Sequence, residues 1–207
     1  MRLLIFGATG GTGMCLVSDA LEQGHQVTAF VRDPGTLTTK HPNLTIVKGD
    51  VSDRDSIVHA LNGVNAVISV LGNDARKTLL EPDNSISKSL PNIISAMQQG
   101  RVERLLFVTS FALDANMFWP EKLLLGTLLR NLFTDLPVQE MLIKESGLNW
   151  TIVRPARLTN GPKTGTCRSG DIYIHPLSSI SRADVAVFLL KEVVTSGYLR
   201  KMVTISD

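Results

Sequence analysis

The sequence has few of the residues that hold proteins together through covalent bonds or metal ions. Its 207 residues include two cysteines, Cys15 and Cys167, and four histidines. Two cysteines exclude a disulfide framework, and none of these residues has the paired spacing of a metal site, so no metal is expected. Cys15 falls in the apolar pattern of the first predicted helix, which indicates a core position. We expect His25, His41 and His59 at the surface.

Charge of one sign and long apolar runs are also lacking. The net charge is +2, which is too small to indicate a nucleic-acid partner. No apolar run reaches the roughly 18–20 residues that a membrane span needs, and the first residues do not resemble a signal peptide. Hydrophobic residues make up 43% and charged residues 19%, as in folded soluble proteins. Reduced thiols and these absences together predict a cytoplasmic protein, a monomer or weak homodimer, with a small-molecule partner.

Short apolar runs alternate with amphipathic segments along the chain. This alternation predicts an α/β fold of the Rossmann type, a doubly wound and mostly parallel sheet with helices on both faces. No repeat or linker divides the chain, so we predict one domain over residues 1–207, with a substrate side formed by about 111–136 and 155–180. The predicted strands are 2–7, 27–31, 44–48, 66–71, 105–109 and 150–153, with a short one at 202–205. The predicted helices are 11–23 (closed by Gly24), 53–61 (capped by Ser52 or Asp53), 86–99, 135–146 and 183–195 (capped by Ser181 or Asp184).

The turn from the first strand into the first helix is rich in glycine. Gly7 would permit the tight turn, Gly10 the close approach of a pyrophosphate, and Gly13 the packing of helix against strand. Free N–H groups at the helix start would bind the phosphates, and the hydroxyls of Thr9 and Thr12 add donors. The turn, which also includes Gly11, therefore predicts a dinucleotide-binding site.

The end of the second strand predicts which dinucleotide is bound. Arg32 stands where an NAD site would place a carboxylate for the adenosine ribose. A guanidinium suits the additional 2′-phosphate of NADP, and Lys40 is a candidate second cation. Asp33 leaves two interpretations open, because it could bind a ribose or cap the loop. We predict NADPH as the cofactor.

Two further strand ends should meet at the same edge of the sheet. Asp50 and Val51 follow the third strand, where they can border the adenine. Leu71 and Gly72 follow the fourth strand, where a glycine lets the nicotinamide half lie across the backbone. Ligands of such sheets bind at the carboxyl ends of the strands, so these positions are expected to converge with the glycine-rich turn.

The order of these motifs resembles that of a known family. The motifs are Gly7 to Gly13, Val31-Arg32-Asp33, Gly49-Asp50-Val51, Val108-Thr109-Ser110, Glu145-Ser146-Gly147-Leu148 and Arg154-Pro155. The chain is similar to atypical short-chain dehydrogenases/reductases, most of all the biliverdin-IXβ reductase/flavin reductase group and, more loosely, NmrA-like NAD(P)-binding proteins.

The resemblance implies a cofactor site and an activity. Gly10, Thr12, Gly13, Arg32, Asp50, Val51, Leu71, Gly72 and Pro155 would contact NADP, and Ser110 would border the nicotinamide and act as the catalytic residue. The implied activity is hydride transfer from NADPH to a flavin or a similar planar acceptor such as biliverdin, with FMN or FAD a substrate and not a bound cofactor. The alternative is a non-catalytic NAD(P)-binding redox sensor.

The Tyr-x-x-x-Lys pair of ordinary short-chain dehydrogenases is missing. Neither Tyr173 nor Tyr198 has a lysine four residues later, so carbonyl reduction through an activated tyrosine is not expected. A flavin ring stabilises the added electrons itself, so positioning alone can serve its reduction. The apolar segment 117–133 has three interpretations: core, a wall over a flat substrate, or a contact with a partner subunit.

Overall fold

The apolar runs of the sequence form strands that are buried on both faces. Leu3, Leu4, Ile5 and Phe6 of the first strand are fully buried, as expected for a parallel strand covered by helices on both sides. The computed structural model describes residues 1–72, 83–110, 134–175 and 177–207. In these ranges the strands are β1 (Arg2–Phe6), β2 (Gln26–Val31), β3 (Leu44–Lys48), β4 (Ala66–Ser69), β5 (Arg104–Val108), β6 (Asn149–Pro155), β7 (Arg157–Thr159), β8 (Arg168–Gly170), β9 (Ser179–Ser181) and β10 (Lys201–Ser206).

Two of the described helices begin where a short polar side chain satisfies their first N–H groups. At the second helix the carboxylate of Asp53 accepts from the N–H of Asp55 at 3.1 Å. At the last helix the hydroxyl of Ser181 accepts from the N–H of Asp184 at 2.9 Å. The described helices are α1 (Gly11–Glu22), α2 (Arg54–Ala60), α3 (Ser85–Gln99), α4 (Leu136–Glu145) and α5 (Arg182–Thr195).

The central sheet has eight strands in the order β3-β2-β1-β4-β5-β6-β10-β8. All neighbours pair in parallel except β8, which runs antiparallel to β10. β7 and β9 form a separate two-stranded parallel sheet. The order reverses beside β1, so the chain winds outward in both directions, and the predicted doubly wound fold is confirmed.

Each face of the sheet has its own hydrophobic core. Helices α1 and α5 pack against each other on one face, whereas α2, α3 and α4 cover the other. Cys15 and Cys167 are free thiols that pack at the border of the first core, as predicted for Cys15. No helix in the described ranges is long and apolar enough to cross a membrane.

The stretch after Pro155 and the residue His25 differ from what the sequence predicts. The stretch after Pro155 was predicted as loop but contains β7, β8 and β9, three-residue strands too short to show an alternating pattern. His25, predicted at the surface, is buried, with Nδ1 at 3.1 Å from the amino group of Met1. Burial and that positive charge lower the pKa of His25. The apolar segment 117–133 falls within 111–133, outside the described residues.

A buried ion pair ties helix α5 to the start of β5. Arg104 Nη2 donates to Glu192 Oε1 at 2.9 Å, and Arg104 Nη1 donates to Thr151 Oγ1 at 2.8 Å. The two charged side chains are 11% and 3% exposed. Burial lowers the pKa of the Arg104 guanidinium, and the carboxylate of Glu192 opposes that shift. Because both charges are removed from water, the loss of either partner leaves an uncompensated buried charge.

Arg104→Met should therefore lower the free energy of unfolding by about 3–5 kcal/mol, because Glu192 is left charged and unpaired. Arg104→Met combined with Glu192→Gln should recover much of that loss. Urea denaturation of the three proteins measures both effects. Lys163→Ala is the control: Lys163 is 45% exposed in its pair with Asp19, and its removal should cost less than about 1 kcal/mol. A loss for Arg104→Met as small as that of the control would contradict a paired buried charge.

Candidate functional site

A cavity of about 780 Å³ opens at the carboxyl edge of β1 to β4. Parallel strands bring the segments that follow them to one edge, so residues far apart in sequence meet there. Eight of the predicted site residues line the cavity: Gly7, Thr9, Gly10, Arg32, Asp50, Val51, Leu71 and Gly72. Gly11, Thr12, Gly13, Ser110 and Pro155 do not line it.

Two glycines of the turn are required by the backbone around them. Gly7 has φ +79°, a conformation that favours glycine. A Cβ at Gly7 would lie 2.7 Å from the carbonyl oxygen of Val70, and a Cβ at Gly13 would lie 2.0 Å from that of Gly7. Gly13 therefore lets α1 press directly against the end of β1, as predicted from the motif.

Gly10 has a different role from its two neighbours in the motif. It is the N-cap of α1, where no side chain caps the helix and no acidic residue lies in the first turn. Among the described residues, a Cβ at Gly10 would have one neighbour within 4 Å, the oxygen of Gly7 at 3.4 Å, so their packing does not require glycine there. The exposed start of α1 offers N–H groups and the positive end of the helix dipole to an anion, which fits a pyrophosphate.

Arg32 lies at the edge of the cavity, exposed to solvent. Asp33 had two possible roles, binding a ribose or capping the loop. Its Oδ1 accepts from the N–H of Gly35 at 3.0 Å and caps the short 3₁₀ turn Pro34–Thr36. Asp33 does not line the cavity, so its loop-capping interpretation is the one that fits. Lys40 is exposed and also lies outside the lining.

Asp50 lines the cavity and also closes the turn after β3. Its Oδ1 accepts from the N–H and the hydroxyl of Ser52 at 2.8 and 2.6 Å. These hydrogen bonds lower the pKa of Asp50, and the nearby charge of Arg32 adds to the effect. The carboxylate stays ionised and can accept hydrogen bonds from an adenine amino group or a ribose.

The floor of the cavity includes two aromatic rings that the sequence reading did not assign. Phe6 and Phe30 pack edge to face with ring centroids 5.2 Å apart, and both line the cavity. A Cβ at Gly49 would lie 2.3 Å from Cζ of Phe30, so glycine there makes room for the ring. These buried rings make this part of the lining apolar, which suits an adenine.

The first turn of α3 forms a wall that sequence reasoning also missed. Its cavity-lining residues include a cation, Lys88, and two hydroxyls; the set is Asp83, Ser85, Ile86, Lys88 and Ser89. The signal was available: a helix that follows a parallel strand begins at the carboxyl edge of the sheet. Lys88 is thus a cation of the cavity lining, whereas the candidate Lys40 does not line the cavity.

The residues assigned to the nicotinamide half lie at the ends of β4, β5 and β6. Among the described residues, a Cβ at Gly72 would meet no atom within 4 Å, so they leave room for a ligand there. Ser110 follows β5 and is half-buried, and Pro155 is buried as the last residue of β6. Ser110 directly precedes 111–133, so its surroundings on that side lie outside the described residues.

A buried polar network holds the ends of β5 and β6 together beside Ser110. Thr109 donates through Oγ1 to Glu140 Oε1 at 3.2 Å. Arg154 donates to the same carboxylate through Nε at 2.9 Å and through Nη2 at 2.6 Å. The bidentate pair is 10% and 5% exposed. This network fixes the backbone from which Ser110 extends.

The arrangement is that of a dinucleotide-binding protein, and the comparison with known families agrees. The chain belongs to the NAD(P)H-binding family, whose model matches residues 7–195. It is thus a member of an oxidoreductase-type family with an NAD(P)H-binding site.

Individual relatives cover most of the chain. An uncharacterized chloroplastic protein of Arabidopsis thaliana is 28% identical over 97% of this chain and 72% of its own length. A short-chain dehydrogenase/reductase of Veillonella parvula in complex with NADP has TM-score 0.81 and 16% identity, over 100% and 94% of the two chains. An anaerobilin reductase of Escherichia coli O157:H7 has TM-score 0.77 and 21% identity, over 99% and 96%. The chain spans 26–61% of the other curated relatives it matches.

Gly10→Val should abolish dinucleotide binding while the protein stays folded. The side chain would occupy the place of the pyrophosphate, and the packing around Gly10 has room for a Cβ. Calorimetric titration with NADPH, alongside thermal unfolding, checks both parts. Gly100→Val is a matched control at the opposite edge of the sheet, where a Cβ also meets a backbone oxygen, at 3.3 Å. A folded Gly10→Val protein with unchanged affinity would rule out this binding site.

Proposed function

We propose that the protein is an NADPH-dependent reductase that transfers hydride to a flavin or a similarly planar, conjugated acceptor. The observation that carries the proposal is the edge of the cavity, where Arg32 is open to a ligand and Asp33 is engaged in a loop cap. At the end of β2, where an NAD site would place a carboxylate for the ribose, the group open to a ligand is thus a guanidinium, which suits a 2′-phosphate. Lys88, in the first turn of α3, adds a second positive charge to the lining.

The position of the tyrosines supports an acceptor that needs no activated phenol. Tyr198 precedes β10, at the amino edge of the parallel sheet and away from the cavity. Its hydroxyl lies 3.0 Å from Ser169 Oγ, and its ring packs 6.0 Å from Phe188. Tyr173 is half exposed and has Leu177 four residues later instead of a lysine. Neither fits the pair that protonates a carbonyl oxygen in ordinary short-chain dehydrogenases.

The residues of the chain then have positioning roles. Bound NADPH supplies the hydride. The start of α1 holds the pyrophosphate, Arg32 holds the 2′-phosphate, and Asp50 accepts hydrogen bonds at the adenine end. Gly72 leaves space for the nicotinamide half, and the hydroxyl of Ser110 orients the carboxamide or donates to the reduced acceptor. A proton for the reduced flavin can come from water.

The fold that this chain shares with an anaerobilin reductase supports an acceptor of this kind. The test is steady-state oxidation of NADPH with free FMN, and with biliverdin in parallel. Turnover with either acceptor supports the reductase. Tight NADPH binding without turnover of either would contradict it and favour a redox sensor that signals through nucleotide occupancy.

Arg32→Ala should weaken NADPH binding by about 1.5–3 kcal/mol, the range for a hydrogen bond to a charged group. NADH binding should hardly change, because NADH lacks the 2′-phosphate. Calorimetric titration of both cofactors measures the difference. Lys40→Ala removes a nearby cation that does not line the cavity, and it should leave both affinities as they are. Equal losses for the two cofactors would show that Arg32 does not bind the 2′-phosphate.

Ser110→Ala should lower kcat/KM by ~10–100-fold, or ~1.4–2.7 kcal/mol, with NADPH affinity kept. A residue that positions the reactants, without acting as a strong acid, has an effect of this size. Kinetics and melting temperature are measured on the same preparation. A lower melting temperature with normal specific activity would assign Ser110 a purely structural role. A loss of about a million-fold, or ~8 kcal/mol, would imply an acid–base group beyond those described.

A further inference from the structure

The backbone conformation of the glycine-rich turn does not require a glycine at Gly11. It is the first residue of α1 and has an ordinary backbone conformation, unlike Gly7 with its positive φ. A Cβ at Gly11 would lie 2.7 Å from Cδ and 2.9 Å from Nε of Arg182. The glycine therefore makes room for the side chain of Arg182, which lies across the start of α1.

Arg182 is the first residue of α5, and its guanidinium is held in place from one side. Nη1 donates to Asn160 Oδ1 at 2.7 Å. Within the part of the chain that the structure describes, no carboxylate lies within ion-pair distance of Arg182. A guanidinium has five N–H donors, so one hydrogen bond to an amide leaves its charge and most of its donors available.

The electrostatics of this contact are unfavourable without an anion. The start of α1 carries the positive end of the helix dipole, with no acidic residue in its first turn and no side-chain cap. A second positive charge beside it repels that end. An anion bound between the guanidinium and the N–H groups of α1 would turn the repulsion into attraction on both sides.

We propose, on the basis of the NADPH function above, that Arg182 binds the phosphate on the nicotinamide half of the dinucleotide. The position of Arg182 selects that phosphate. The part of the cavity with Arg32 and Asp50, after β2 and β3, is where the adenosine half would bind, and Arg182 is not among the described residues that line it. Arg182 enters from α5 on the other face of the sheet, after β6 and β9, and contacts the turn at Gly11, outside that lining.

The test compares two ligands that differ in the proposed contact. NADPH carries both phosphates of the pyrophosphate, whereas 2′,5′-ADP carries the adenosine phosphates alone. Arg182→Met keeps an unbranched side chain against Gly11 and removes the charge. It should weaken NADPH and NADH by the same factor, roughly tenfold or more, and leave 2′,5′-ADP affinity unchanged in calorimetric titrations. Arg182→Lys should recover part of the loss. Arg101→Ala, which removes an exposed arginine at the opposite edge of the sheet, should change none of the affinities.

Each other outcome has a separate meaning. Unchanged NADPH affinity in a folded Arg182→Met protein overturns the proposal. An equal loss for 2′,5′-ADP also overturns it, because the contact would then not belong to the nicotinamide half. A loss specific to NADPH over NADH would place Arg182 at the 2′-phosphate and overturn it as well.

Failure of the proposed function is distinguishable from failure of the Arg182 proposal. In that case the unsubstituted protein would not prefer NADPH to NADH or would not turn over FMN or biliverdin. If Arg182→Met lowers the melting temperature sharply, Asn160→Ala tests the same contact, and NADPH affinity should then fall while 2′,5′-ADP affinity stays.

Discussion

The contact between Gly13 and the carbonyl oxygen of Gly7 is the constraint on which the rest of the site depends. A Cβ at position 13 would stand 2.0 Å from that oxygen, so α1 reaches the end of β1 only because the side chain is a hydrogen atom. The contact aims the start of the helix at the carboxyl edge of the sheet. The cavity, the exposed N–H groups and the meeting of α1 with Arg182 all follow from that direction.

Local patterns were sufficient for most of the fold and for part of the site. Buried strands such as β1 and β5 are recognisable because both faces are apolar, and the motif around Gly10 has a fixed place between strand and helix. Residues directly after β2, β3 and β4 could be assigned to the cavity from topology alone. The ends of elements were less certain, since capping by Asp53 or Ser181 is decided by which hydroxyl or carboxylate reaches the helix start.

The remaining site residues depend on packing between distant segments, which no local pattern encodes. Phe30 and Gly49 fit together across two strands, and Lys88 is brought to the cavity by the start of α3. Arg182 lies more than a hundred and seventy positions from Gly11 in sequence. The loop position of His25 predicts a surface residue, yet it is buried and contacts the amino group of Met1. In each case the partner of the residue, and not the residue itself, decides its role.

The separate cores on the two faces of the sheet have a consequence for how the protein unfolds. The adenosine end of the site is built by segments packed on the face with α2 and α3, whereas α1 and α5 belong to the other face. A single ligand that touches segments from both sides would link the two cores across the sheet. Occupancy of the site would therefore raise the midpoint of unfolding. Segments on both faces of the sheet would together gain protection from hydrogen exchange.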